Sequence, residues 1–149
     1  MRSGRVADRL EQRGNSAATL RDLMHTSVVS AAPDTAVAEA AAAMVRAKAG
    51  SAVVMQGSFL AGILTERDVL RAAASGEDLS RSLVSEWMTP DPQSASPSAS
   101  IEDAAQIMLL NGFRHLPVVE GREVRGVVSL RDLFAARIRR PAAPRAGGA

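Results

Sequence analysis

Apolar residues spaced three and four positions apart predict two amphipathic helices in the chain. One begins near Thr35 and continues through Met44, and the other covers 101–109. Each predicted helix is followed by two short apolar runs around a glycine, a pattern typical of a β-hairpin. The hairpin runs are 52–55 and 60–64 around Gly57, and 116–119 and 124–128 around Gly121.

The remaining elements complete the same order in both halves. We expect a short strand before each helix, at 28–30 and at 93–95, and a second helix after each hairpin, at 66–74 and at 130–139. The linking segment favours helical turns around 79–83 and 84–88. Each half is therefore predicted to be β-α-β-β-α, which is an α+β fold class.

The two halves are related by a constant offset of 64 residues. The segment 62–68, with the sequence GILTERD, returns at 126–132 as GVVSLRD. A register kept over more than fifty residues without a gap indicates one structural unit built twice. Two copies are too few for a solenoid, so we expect a pair of facing modules with related clefts between them.

This repeat divides the chain into five parts. They are an N-terminal polar helix or arm (1–19), a first copy (20–75), a linker (76–83), a second copy (84–140) and a tail predicted to be disordered (141–149). Each copy alone would be marginal in stability, because a chain of that size buries too little apolar surface.

A hydroxyl residue followed three positions later by an aspartate marks the predicted change from strand to helix in both copies. The pairs are Thr65 with Asp68 and Ser129 with Asp132. One interpretation is structural, because such a pair caps a helix N-terminus. The other is functional, because free amides at a helix N-terminus attract an anion and a carboxylate can hold a ribose diol. The residues alone leave both interpretations open.

Composition and charge exclude several classes of protein. The chain has no cysteine, which excludes disulfides, thiol catalysis and thiolate metal sites. The pI near 10.3 and the net charge of +2 come from arginines at the two ends, since 20–136 carry ten basic and fourteen acidic residues. No stretch approaches the ~20 apolar residues of a membrane span, and the first residues lack a signal-peptide core. We therefore expect a cytoplasmic protein.

The combination of glycine before the cap, arginine beside each aspartate and the segment HLPVV at 115–119 resembles a known family. Over about 20–136 the chain resembles a tandem pair of cystathionine-β-synthase (CBS) domains, in the form of a free-standing protein. The resemblance implies two modules packed through their sheets around a pseudo-twofold axis. It also implies clefts that bind AMP, ADP or ATP, with S-adenosylmethionine and NAD as further candidates, and a role in signal transduction.

The resemblance further implies roles for individual residues. Asp68 and Asp132 would hold ribose hydroxyls, and the other residues around them would contact phosphate or sugar. The implied sugar and phosphate ligands are Thr65, Arg67, Asp68, Arg114, His115, Ser129, Arg131 and Asp132. Adenine is implied to lie near Val28, Val53 and Leu116. No cofactor is required, because the adenosine nucleotide is a regulatory ligand.

The two implied clefts are not equivalent. The second copy has Arg114 and His115 where the first copy has Gly50 and Ser51. Basic groups at that position often reach phosphates in the family. We therefore expect the Asp132 cleft to prefer the more highly phosphorylated ligand, and the first-copy cleft to bind a less charged ligand, to bind more weakly or to stay empty.

Other functions have weaker support in the sequence. The chain shows no nucleophile–base pair, no phosphate-cradling Gly-rich loop and no paired histidines, so neither an enzyme nor a metal site is predicted. We expect a homodimer that contacts an unknown effector protein and no membrane. An interaction scaffold with empty clefts is the alternative. Nucleic acid binding through the Arg-rich ends is a second alternative, but no aromatic residues accompany those arginines.

Overall fold

The computed structural model describes residues 18–139, and its helices and strands follow the predicted order, except that the first strand of the second copy is reduced to a single bridge. In chain order they are α1 Leu20–Leu23, β1 Ser30–Ala31, α2 Val37–Ala47, β2 Ser51–Gln56, β3 Phe59–Thr65, α3 Glu66–Ala74, α4 Val84–Trp87, β4 Thr89–Pro90, α5 Ile101–Asn111, β5 His115–Glu120, β6 Glu123–Ser129 and α6 Leu130–Arg139. No helix among the described residues is both long and apolar enough to span a bilayer. Most of the predicted N-terminal helix or arm (1–19) and the whole predicted tail (141–149) lie outside the described residues.

The two hairpins and the helices that follow them confirm the prediction, whereas the first strand of each copy differs from it. β1 is a two-residue strand at Ser30–Ala31 rather than at 28–30. In the second copy no strand forms at 93–95, because only Ala95 makes a parallel bridge, with Val118. Helix α2 also begins later than Thr35. The Thr35 hydroxyl accepts a hydrogen bond from the Ala32 amide (3.0 Å), which holds these residues in a turn before the helix.

The strands of both copies pair in the same way. In the first copy β1 is parallel to β2, β2 and β3 form the antiparallel hairpin, and β4 pairs with the outer edge of β3. In the second copy β5 and β6 form the hairpin, and single bridges at Ala95 and His25 stand where β1 and β4 stand in the first copy. Both hairpins carry an irregularity at the same place, between Val54 and Met55 and between Val118 and Val119.

The opening segment of each copy packs on the other copy. The Leu20 amide donates to the Ala99 carbonyl (3.0 Å), and the equivalent Val84 amide donates to the Thr35 carbonyl (2.8 Å). The offset of 64 residues relates these two contacts, so the copies exchange their opening segments around a pseudo-twofold axis. The strand β4 and its counterpart at His25 are the ends of the exchanged segments.

Two hydrophobic cores result, and each contains residues from both copies. The first core consists of Ala40, Met44, Ala52, Val54 and Leu64 of the first copy with Val84 of the second. The second core consists of Ile101, Ala104, Met108, Leu116, Val118, Val128 and Leu133 of the second copy with Ala18 and Leu20. Trp87 packs against the first core. The exchange therefore ties the folding of each copy to the presence of the other.

Candidate functional site

Both hydroxyl–aspartate pairs form complete helix caps, which confirms the structural interpretation of the motif. In the first copy the Asp68 amide donates to Thr65 Oγ1 (3.3 Å), while Thr65 N and Oγ1 both donate to Asp68 Oδ2 at 2.9 Å. In the second copy the Asp132 amide donates to Ser129 Oγ (3.1 Å), and Ser129 N and Oγ donate to Asp132 Oδ2 at 2.9 and 2.7 Å. The cap thus fixes each aspartate through one carboxylate oxygen.

The second carboxylate oxygen of each aspartate has a different partner in the two copies. Asp68 Oδ1 accepts from Arg71 Nη1 (3.3 Å), and the Arg71 guanidinium lies over the Trp87 ring, 5.8 Å from its centroid. In the second copy the residue equivalent to Arg71 is alanine, and Nε2 of His25 lies 3.1 Å from Asp132 Oδ1. The Asp132 side chain is 23% exposed and that of Asp68 only 10%. Asp132 is therefore the more accessible carboxylate.

The environment of Asp132 favours its charged form. Burial raises the pKa of this carboxyl, but hydrogen bonds from the Ser129 amide, the Ser129 hydroxyl and His25, together with the charge of His25, lower the pKa below its ordinary value. A carboxylate that stays ionised at neutral pH is a strong acceptor for hydroxyl donors.

A cleft of about 1190 Å³ opens beside Asp132 and is lined by both copies. The second copy contributes the helix start around Asp132 and the beginning of β5, and the first copy contributes segments before β1 and after α2. Among the site residues expected from the sequence, the cleft brings together Val28, Arg114, His115, Ser129, Arg131 and Asp132. A shared cleft of this size can enclose a nucleotide-sized molecule.

The other expected site residues lie away from this cleft. Thr65, Arg67 and Asp68 stand at the equivalent strand-to-helix junction of the first copy. Val53 and Leu116 are almost completely buried, so neither side chain lines the cleft wall. The apolar part of the wall comes instead from residues such as Val28, Val29 and Phe134.

Two residues of the cleft, Lys48 and His25, were not among the site residues expected from the sequence. Lys48 follows α2 and adopts a left-handed backbone conformation (φ 53°), where the equivalent Gly112 of the second copy has φ 72°. The repeat aligns Lys48 with Gly112, so the sequence places a lysine where the backbone conformation favours glycine. Such a substitution is a sequence signal that Lys48 could have a function. His25 carries no local sequence signal of a site, because its contact with Asp132 arises only through the exchange of opening segments.

The charges around the cleft are mixed, with cations in excess. Lys48, Arg114 and Arg131 line the cleft together with Glu66 and Asp132. Three basic residues against two acidic ones give the cleft lining a positive balance. Such a cleft attracts an anionic ligand, and its carboxylates are acceptors for hydroxyl groups.

His115 stands between the two copies at the edge of the cleft. Burial lowers the pKa of His115, an effect that Arg114 reinforces and that the carboxylates of Glu66 and Asp132 oppose. The imidazole is therefore neutral at pH 7 and can both donate and accept a hydrogen bond. Between residues 18 and 139 no group of three or more His, Asp or Glu side chains has the arrangement of a metal site.

Comparison with known proteins gives a consistent result. The family model of the CBS domain matches residues 20–75 and 84–139. The CBS domain-containing protein YhcV of Bacillus subtilis is 37% identical over 116 residues, which are 77% of this chain and 82% of that protein. The crystal structure of CBS domain NE2398 has a TM-score of 0.76 and 31% identity, covering 80% of this chain and 97% of that one. CBSX2 of Arabidopsis thaliana, solved in complex with AMP, has a TM-score of 0.67 and 26% identity, covering 81% and 96%.

Proposed function

The chain belongs to the family of CBS-domain proteins, and from that premise we propose that it is a ligand-sensing regulatory module rather than an enzyme. Its ligand is an adenosine derivative that binds in the cleft beside Asp132. The observation that carries this proposal is the accessible Asp132 carboxylate, fixed at a helix N-terminus and facing a cleft with an excess of cations. The complex of CBSX2 with AMP supports the same class of ligand.

The cleft offers a distinct partner for each part of an adenosine nucleotide. The ribose hydroxyls donate to Asp132, whose position Ser129 fixes. The phosphates extend toward Arg131, Arg114 and His115, which line the same cleft. Val28 provides an apolar surface for the adenine ring. AMP, ADP and ATP share these features, and S-adenosylmethionine and NAD carry the same adenosine group.

We propose that the two aspartates differ in ligand preference. The Asp132 cleft takes the more highly phosphorylated ligand, because Lys48 adds to the positive charge that Arg114 and Arg131 supply. Asp68 is more buried, and its free oxygen is held by Arg71, which carries a permanent charge. A ligand at Asp68 has to break that ion pair. We therefore expect Asp68 to bind weakly, to bind a less charged ligand or to remain empty.

Regulation requires that the ligand alters a contact with another protein. Exposed apolar residues occupy equivalent positions on α2 and α5, where Val45 is 78% exposed and Leu109 is 67% exposed. A homodimer that buries these two helices is our proposal for the assembly, since an isologous twofold interface suits a chain that presents the same surface twice. Trp87 packs against the first core and lies outside this proposed surface. The effector that responds to the ligand stays an unidentified cytoplasmic protein in this proposal.

A thermal-shift panel tests the proposal. Ligand-stripped protein is heated with AMP, ADP, ATP, S-adenosylmethionine or NADH, and with Asp68→Ala and Asp132→Ala variants. A ligand at about a hundred times its Kd adds ~2.7 kcal/mol to the free energy of unfolding, or roughly 5 to 10 °C in Tm. We expect a selective shift that Asp68→Ala retains and Asp132→Ala loses. The absence of any shift would favour the interaction scaffold, in which the two aspartates serve only as helix caps.

A further inference from the structure

The carboxylate of Asp132 already has a partner within the cleft. Nε2 of His25 lies 3.1 Å from Oδ1 and 3.1 Å from Oδ2 of Asp132. Oδ2 also accepts both hydrogen bonds of the Ser129 cap, so Oδ1 is the oxygen left for a ligand. The imidazole of His25 therefore occupies the acceptor that the proposed function assigns to the ribose.

The backbone of His25 is held by the sheet, whereas its side chain is largely exposed to solvent. Its amide donates to the Val127 carbonyl (2.9 Å), and its carbonyl accepts from the Val127 amide (3.1 Å), which attaches this position to strand β6. The side chain, in contrast, is 69% exposed. The imidazole can thus leave Asp132 by a rotation of its side chain, without any change in the sheet.

The repeat shows that this arrangement belongs to one copy only. The residue equivalent to His25 is Thr89, and the free oxygen of Asp68 is held by Arg71 from its own helix. An arginine keeps its charge at all physiological pH values, whereas a histidine changes its charge between about pH 5 and 8. The two equivalent carboxylates therefore have competitors of different chemistry.

We propose that His25 sets the affinity of the cleft, because its imidazole competes with the ribose hydroxyls of a nucleoside for Asp132. This inference rests on the proposed function. In the tautomer with its proton on Nε2, His25 donates one hydrogen bond to the carboxylate, and a ribose hydroxyl that binds Oδ1 has to compete with that bond. Removal of the imidazole should therefore raise the affinity for a nucleoside.

Several other charged or polar groups line the same cleft. These groups are Lys48 after α2, Glu66 at the start of α3, Arg114 and His115 at β5, and Arg131 and Asp132 on α6. His115 is the second imidazole among them, so a control variant has to remove it separately.

Adenosine is the appropriate probe, because it carries the ribose and the base without phosphates on which an imidazolium could act. Isothermal titration with adenosine at neutral pH compares the wild type with His25→Ala, His115→Ala and Asp132→Asn. We expect His25→Ala to bind adenosine about 2- to 10-fold more tightly than the wild type, as removal of one competing hydrogen bond implies. His115→Ala keeps the competing imidazole and should show no such gain, and Asp132→Asn should bind adenosine more weakly than the wild type.

Three outcomes distinguish this inference from the proposed function. Weaker adenosine binding by His25→Ala would overturn the inference while leaving the proposed function in place, because His25 would then assist the ligand. An unchanged adenosine affinity in that variant would also overturn the inference, because His25 would then not compete for Asp132. If neither the wild type nor His25→Ala binds adenosine or ATP, both proposals fail. An NMR titration of the two histidines in the wild type and in Asp132→Asn checks the His25–Asp132 contact without any ligand.

Discussion

Gly50 of the first copy lies directly against His115 of the second. A Cβ atom built on Gly50 would stand 2.7 Å from Cε1 and 3.1 Å from Nε2 of the His115 ring. The close approach brings the start of β2 next to the start of β5, where the two copies meet. The absence of a side chain at position 50 therefore determines how deeply the His115 ring sits between them.

Gly50→Ala should move the His115 ring and leave the fold nearly intact. The atoms that obstruct the new methyl group belong to the end of a side chain, which can rotate, so we expect a loss of less than about 1 kcal/mol in the free energy of unfolding. Urea denaturation measures this loss. ATP affinity should fall, because the displaced ring enters the cleft.

Gly126→Ala is the matched control for that variant. Its Cβ would stand 2.7 Å from the backbone carbonyl oxygen of His25, which the sheet holds in place. We expect a loss of about 1 to 3 kcal/mol. Equal losses for Gly50→Ala and Gly126→Ala would show that the His115 ring is as rigid as the backbone.

Lys48→Gly should change stability and ligand affinity in opposite directions. A non-glycine residue in the left-handed conformation costs roughly 1 kcal/mol, so glycine should raise the free energy of unfolding by up to that amount. Loss of the ammonium group should weaken ATP binding and leave adenosine binding unchanged. Urea denaturation and isothermal titration measure the two effects.

The reverse substitution in the second copy serves as its control. Gly112→Lys introduces the same strain at the equivalent position (φ 72°) and should lower stability by about 1 kcal/mol. If Lys48→Gly binds ATP as tightly as the wild type, Lys48 does not contribute to phosphate binding.

Acidification should destabilise the protein through His115. The unfolded chain takes up a proton at the ordinary histidine pKa of 6.5, and the folded protein takes it up only at a lower pH, because burial lowers the pKa of His115. Stability is therefore complete above pH 6.5 and decreases as the pH falls from there toward the folded pKa. Urea midpoints between pH 8 and 5 should show this decrease in the wild type.

His115→Gln should remove that part of the pH dependence, while His25→Gln, which keeps His115, should retain it. Asp132 does not interfere, because its pKa is lowered from an ordinary value of 3.8 and so lies below this range. If the urea midpoint of His115→Gln depends on pH as it does in the wild type, groups other than His115 cause the loss of stability in acid.

Leu20→Ala should destabilise both copies, although Leu20 lies in the second core. The cavity left by a buried leucine costs about 2 to 5 kcal/mol. Trp87 is the only tryptophan of the chain and reports on the first core. We expect tryptophan fluorescence and far-UV circular dichroism to give the same lowered urea midpoint, because the exchanged segments couple the cores. A fluorescence midpoint equal to that of the wild type would mean that the copies unfold independently.

A Val45→Glu, Leu109→Glu double variant should be monomeric, since two buried charges would oppose the proposed dimer interface. Light scattering after gel filtration measures the mass. Phe59→Glu is the control, because Phe59 is also exposed but lies on the β2–β3 hairpin. A double variant with the mass of the wild type would exclude α2 and α5 as the interface, and a monomeric wild type would exclude the dimer.

The sequence predicted the elements whose signals are local. Short apolar runs around Gly57 and Gly121 located both hairpins, and the pairs Thr65–Asp68 and Ser129–Asp132 located the starts of α3 and α6. The short first strands were misplaced, because one or two bridges leave almost no pattern in the sequence.

Residues of the candidate site were harder to predict where they depend on contacts distant in sequence. His25 meets Asp132 across 107 positions of the chain, and no periodicity reveals such a contact. Lys48 was visible only through its equivalence with Gly112. Val53 and Leu116 had the apolar character expected of a wall for adenine, but the same character places them inside the molecule.

The exchange of opening segments has a consequence for the ancestry of this chain. A single copy carries one opening segment, and in the present arrangement that segment completes a different copy from its own. An ancestor with one copy would therefore have formed a dimer, in which the opening segment of each molecule completed the core of the other. Duplication and fusion of the gene would then have joined the two associating molecules into one chain. Each half of that chain could afterwards diverge in sequence. Such divergence would account for a histidine in one opening segment and a threonine at the equivalent position of the other.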